Sequence, residues 1–141
     1  MREATGNALL VTMMTSIIAI IMIFFVGSIS YSKSYRIKNY IINQIEENKG
    51  WDSTIIGDVN AYLKDAGYNV RRSGSKCDSY NKCTLVYPTS AVRNGYDYCV
   101  YSCSGGDYYK VVTYMKFDFP VINNQLKFEV KGETKTFNDF N

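Results

Sequence analysis

Histidine is absent from this 141-residue chain, and that absence removes a large part of common site chemistry. There is no Ser-His or Cys-His nucleophilic pair, no His-ligated zinc, and no side chain whose ordinary pKa lies near neutrality. The excess of positive over negative charge is also slight. The net charge is +3 and scattered, which gives little footing for a nucleic acid. Paired carboxylates, a glycine-rich phosphate loop and a nucleophile elbow are missing too, so the sequence points to no enzyme and implies no cofactor or metal. Only two prolines accompany 13 tyrosines, a balance that favours a β-rich, polar-surfaced domain over a disordered one. The length allows one ordinary domain with an appendage.

The most informative absence is local. From Ala4 to Ser32 there is no charged residue, and Ala8 to Val26 is interrupted only by Thr12, Thr15 and Ser16. About 20 apolar residues in a helix span a ~30 Å hydrocarbon core, so residues 8–26 read as a transmembrane helix. A removable secretory signal has a shorter apolar core and a small-residue cleavage site, whereas Tyr31 and Lys33 follow here.

The helix should continue beyond the membrane. Residues 33–49 contain no proline or glycine, and Ile37, Ile41 and Ile45 recur every four residues with Ile42 alongside. Lys33, Arg36, Lys38, Asn39, Asn43, Glu46 and Glu47 occupy the other faces. One helix from about Ala8 to Lys49 would be ~63 Å long, with Gly50 as its C-terminal cap and Gly27-Ser28 as the place for a bend.

Residues 50–141 form the head. Asp52 or Ser53 can cap a short helix through Ile55, Ile56, Val59, Leu63 and Ala66, ending at Gly67. The period then changes to two. Strands are expected at Thr84–Tyr87, closed by Pro88, at Tyr96–Cys103 and at Tyr108–Phe119, with turns at Asn94-Gly95 and Gly105-Gly106. Leu126–Val130 should pair with Glu133–Phe137 across Lys131-Gly132. The fold class is therefore α+β: a long helix, a short helix and a small antiparallel sheet.

All four cysteines, Cys77, Cys83, Cys99 and Cys103, lie in the β part. Their C-x5-C and C-x3-C spacings lack the tight knuckles of zinc sites, so disulfides are expected, and with them an extracytoplasmic head. The flanking charges argue the other way, since Lys33, Arg36 and Lys38 follow the span and only Arg2 precedes it. On one extended strand Cys99 and Cys103 stand roughly 13 Å apart, too far for a bond, so both must cross to Cys77 and Cys83. Which crosses to which stays open.

A charged leader ending at Gly6, an uncharged helix, its amphipathic extension and a small β-rich head resemble a type IV pilin. Within that group the chain most resembles the TadE-like proteins of tight-adherence pilus systems. The segment from Val112 to Pro120, with its Phe119-Pro120, and the later Gly132-Glu133-Thr134 are similar to the pattern near the end of such heads. The resemblance implies cleavage between Gly6 and Asn7 by a prepilin peptidase, methylation of the new amino terminus, and an assembly ATPase and platform as partners. It implies extraction of the helix from membrane lipid into a self-associated filament used in adhesion. The chain departs from the pilin pattern at Val11, where a glutamate would stand five residues after the cut.

Three further features are weaker. Ala8, Thr12, Ser16 and Ala19 share a helix face, with Thr15 beside them, which suits close helix packing with hydroxyls bonding across the contact. The head tyrosines suit either a binding surface or, more commonly, core and cross-strand pairs. Arg71-Arg72 reads as a solvated turn. A single-pass anchored binding domain that never polymerises is the competing function.

Overall fold

The computed structural model describes residues 2–67, 77–89, 98–115 and 128–137. The turn expected at Asn94-Gly95, the Arg71-Arg72 pair and the Phe119-Pro120 segment lie outside these residues. Two helices precede a four-stranded sheet: α1 (Arg2–Asn48), α2 (Ser53–Asp65), β1 (Cys83–Tyr87), β2 (Tyr98–Cys103), β3 (Tyr108–Met115) and β4 (Phe128–Glu133). The strands follow one another in space as in sequence, and every pair is antiparallel. This is the α+β architecture read from the sequence.

α1 is longer than expected. It begins at Arg2, so the charged residues before the apolar run are already helical, and it runs unbroken through Gly27 and Ser28 for 47 residues, about 70 Å. Glu3 lies in its first turn, where a carboxylate is favoured by the helix dipole. Its C-terminus corrects a second expectation. Lys49, not Gly50, takes the left-handed conformation, with φ of 54°. The Gly50 amide then donates to the Ile45 carbonyl at 3.1 Å, the six-to-one bond of a Schellman ending.

The Asp52 carboxylate caps α2 by accepting from the Ser53 amide. α2 then runs back along α1: Tyr62 stacks on Tyr40 with centroids 4.0 Å apart, and Gly67 ends beside the Lys33 amine. Ile55, Val59 and Leu63 are buried against Ile37, Ile41 and Ile45 of α1, and both triads press on the inner sheet face at Tyr98, Val100 and Val111.

A bulge shapes this core. Leu85 pairs with Tyr101 but Tyr87 pairs with Val100, so one extra residue intervenes in β1. The shift turns Tyr87 to the inner face, where its ring stacks on Tyr98 and meets Trp51.

The hairpin expected across Lys131-Gly132 does not form. Residues 128–133 are one strand, paired along its length with β3. Gly132 serves close approach instead of a turn: a Cβ there would lie 2.7 Å from Ile42 Cδ1 and from Lys38 Cδ. Lys38, expected on a polar face, is consequently buried. Its stem lies over Gly132 and its amine sits 4.2 Å above the Tyr35 ring.

Candidate functional site

Two features stand out: the apolar arm of α1, and the outer face of the sheet with its disulfides. On the arm, the large apolar side chains from Leu9 to Ile29 are between 37 and 81 % exposed. Among the described residues nothing covers them. The helix is long and apolar enough to cross a membrane. Burial against the head begins at Ser34, so α1 divides into a bare half and a packed half within one continuous helix.

The stripe residues Ala8, Thr12, Ser16 and Ala19 lie in the bare half, all exposed. Their hydroxyls are already satisfied. Thr12 Oγ1 donates to the Ala8 carbonyl at 2.7 Å, Ser16 Oγ to that of Met13 at 2.8 Å, and Thr15 Oγ1 lies 3.0 Å from the carbonyls of Val11 and Thr12. Such back-bonding removes the cost of a polar group in lipid. The stripe therefore offers small size and local polarity, and no free donor that demands a neighbour. Gly6 and Asn7 sit within the first two turns, exposed, with open space where a Gly6 side chain would be.

On the outer sheet face, β2 alternates Cys99, Tyr101 and Cys103 toward one side. Cys77 bonds Cys99 and Cys83 bonds Cys103, with Cα separations of 6.0 and 4.0 Å. Both crossings run from the 77–83 segment to β2, and the structure selects this pairing over its alternative. Cys83 and Cys103 are direct partners in the β1–β2 ladder, which brings their sulfurs together across the strand pair. Cys77, by contrast, lies before the sheet, and its bond pins the 77–82 segment across the outer face.

Under that strap Tyr101 donates to the Asp78 carbonyl at 2.6 Å and meets Tyr80 edge-on. Tyr114 lies 3.7 Å from the Cys99 sulfur. Burial, reinforced by neighbouring tyrosines and acids, raises the Tyr101 phenol far above its ordinary range and pushes Tyr114 up to about 12. The Lys110 and Lys131 amines stand 4.7 and 5.1 Å from the Tyr80 centroid. Lys110 pairs with Glu133, and Lys131 with Glu129. Hydrogen bonding to Tyr80 and Glu129 holds Lys131 more firmly protonated than usual. The tyrosines of this face are thus core and cross-strand partners. The sequence signal was the i, i+2 spacing of Cys99, Tyr101 and Cys103. The strap itself left no local signal, because Asp78 and Tyr80 meet β2 only through the fold.

Among the described residues no group of three or more His, Cys, Asp or Glu side chains is placed to hold a metal ion. Comparison with protein-family models, curated proteins and solved structures finds no match for this chain.

Proposed function

We propose that this chain is a structural subunit of a type IV or Tad-like surface filament, anchored in the membrane before assembly and carrying a disulfide-linked extracytoplasmic head. One observation carries the reading: a single helix packs its second half into the head and leaves its first half as a bare apolar arm. Such an arm needs a non-aqueous surrounding at all times, either lipid or the arms of neighbouring subunits. The disulfides support an oxidising compartment for the head. Partners on this reading are a prepilin peptidase, an assembly ATPase with its platform, and further copies of the chain.

The mechanism has three steps. The peptidase cuts between Gly6 and Asn7, which requires the first turns of α1 to open. The assembly machinery then lifts the arm from the bilayer. Finally the arm is reburied against its neighbours while the heads form the outer wall.

Two observations favour the competing reading of a single-pass anchored binding domain that stays monomeric. No acid stands in the apolar run near Val11, and the stripe hydroxyls already have their partners. The leader discriminates the two. Intact-mass measurement of protein from its native cells should give a chain beginning at Asn7, whereas a mass retaining residues 1–6 would remove the filament reading and leave the anchor.

A further inference from the structure

The end of the head nearest the arm carries a surface that neither reading assigns. Strand direction locates it. The Thr113 hydroxyl lies 3.2 Å from the Ser34 carbonyl, while Tyr109, earlier in β3, lies near Gly50, so β3 descends toward the arm. β4 runs the opposite way and starts at this lower end, where Phe128 pairs with Met115. Phe128 shares a sheet face with Val130 and Gly132, the face that meets α1, yet it is half exposed. It lies four residues before Gly132, which contacts α1 at Lys38 and Ile42. At ~3.3 Å per strand residue and ~1.5 Å per helix residue, Phe128 stands near the level of Tyr31.

Tyr31 and Tyr35 are exposed and stacked, with centroids 6.3 Å apart, on the helix row that continues through Lys38 to Ile42. They lie just past the apolar run, so Phe128, Tyr31 and Tyr35 share one side of the molecule at one depth. Exposed cations ring this level: Lys33 and Arg36 on α1, and Lys64 near the end of α2. Among the described residues the acids there are Asp65 and Glu129, and Glu129 is already paired with Lys131.

Tyrosines at the end of an apolar span sit at headgroup depth, and clustered cations beside them attract anionic lipid. We propose that this foot is a membrane-docking surface, in which Tyr31, Tyr35 and Phe128 enter the interfacial layer and Lys33 and Arg36 bind the headgroups of anionic phospholipid. The unbroken helix makes the docking stereospecific. Because α1 is continuous from the arm into the head, insertion of the arm brings Phe128 to the same depth as Tyr31. The bilayer thereby sets the tilt of the head as well as its distance. The inference rests on α1 spanning the bilayer and not on filament formation.

The test uses the full chain, one copy per nanodisc of phosphatidylcholine and phosphatidylglycerol, with lipids brominated either just below the carbonyls or deep in the acyl chains. Trp51, at the far end of the head, serves as the reference fluorophore in the unmodified protein. In a Phe128→Trp/Trp51→Phe variant the shallow bromines should quench the new indole, while Trp51 of the unmodified protein stays unquenched. Adding Lys33→Glu and Arg36→Glu should shift the docked-to-undocked ratio by roughly fivefold or more for each cation lost. An Ile21→Trp/Trp51→Phe variant checks the span itself. If deep bromines quench position 21 but shallow ones leave position 128 untouched, docking is refuted and the span stands. If position 21 escapes quenching, the span reading falls and docking with it. Quenching at position 128 that ignores both charge reversals refutes the assignment to anionic headgroups.

Discussion

Removing the Cys77–Cys99 bond alone tests the strap most directly. The two disulfides interleave, so with Cys83–Cys103 intact the circuit that Cys77–Cys99 closes is short. It runs from Cys77 to Cys83, across the other bond, and back along β2 from Cys103 to Cys99. A circuit of about ten residues restrains the unfolded chain by roughly 2.7 kcal/mol in the loop-entropy model. Removing Cys83–Cys103 instead opens a circuit of the same size, so chain entropy makes the two losses equal. The folded state separates them. Cys83 and Cys103 remain ladder partners once reduced, held by the pairing of β1 with β2. The 77–82 segment loses its covalent anchor and keeps, among the described residues, the Tyr101–Asp78 bond, the Ser104 amide on the Lys82 carbonyl and the Tyr80 contacts. Urea unfolding of the full chain in mild detergent, followed by Trp51 fluorescence, should therefore show a loss of about 2–3 kcal/mol for either double alanine variant. Alkaline spectrophotometric titration should distinguish them. In Cys77→Ala/Cys99→Ala the Tyr114 phenol should ionise closer to an ordinary tyrosine, because the cover that desolvates it is loosened. In Cys83→Ala/Cys103→Ala it should hold. A loss under about 1 kcal/mol for the first variant, or identical titrations for the two, would show that the strap is held by packing and not by its crosslink.

Two further outcomes follow from the packing. Gly132→Val places branched carbons where a single Cβ already comes within 2.7 Å of Lys38 and Ile42, so the variant should lose roughly 1–3 kcal/mol in the same urea assay. Alkali should unfold the head in a defined window: Tyr114 ionises at about 12 when folded and near 10 when unfolded, so its contribution is complete below pH 10 and lost as pH rises toward 12. Circular dichroism across that range, expected to show falling stability, checks the sign.

What was legible in the sequence was whatever depends on local period. The Ile37, Ile41, Ile45 row and the Ile55, Val59, Leu63 row are helical stripes, and both are buried where their spacing puts them. The alternation through β2 and β3 likewise appears as written. Two of the misreadings share a cause: a local signal answered by a distant partner. Lys131-Gly132 looks like a turn until α1 arrives against it, and the same approach buries Lys38, which looks solvated within its own helix. Lys49 takes the conformation that Gly50 suits better, because the Schellman bond from Gly50 to Ile45 sets which residue must turn. Of the site, the apolar arm and the four cysteines could be found by eye. The disulfide pairing depends on the β1–β2 register, and the state of the stripe hydroxyls on their side-chain rotamers.

The satisfied stripe hydroxyls decide how the arm is best tested. The large apolar side chains between Leu9 and Ile29 would release on the order of 20 kcal/mol or more on leaving water, whether for lipid or for other helices. Hydrophobicity therefore cannot separate an anchored monomer from an assembled subunit, since acyl chains are as apolar as a neighbouring helix. What separates them is shape. An Arg at Thr12 or Ser16 should abolish filaments, but it also penalises insertion by about 3 kcal/mol and so confounds the two states. A Leu at Ser16 is cleaner. It keeps the helix apolar, loses only a hydroxyl that bonds to Met13 of its own helix, and fills the groove between Thr12 and Ala19. Membrane insertion should then be unchanged by alkaline extraction, while filaments, counted by electron microscopy of sheared cells, should fall severalfold if arms pack along this stripe. Filaments that tolerate Ser16→Leu and fail only with Arg would place the packing face elsewhere on the arm. Filaments that survive both would show that the arm is an anchor and the assembly contacts lie in the head.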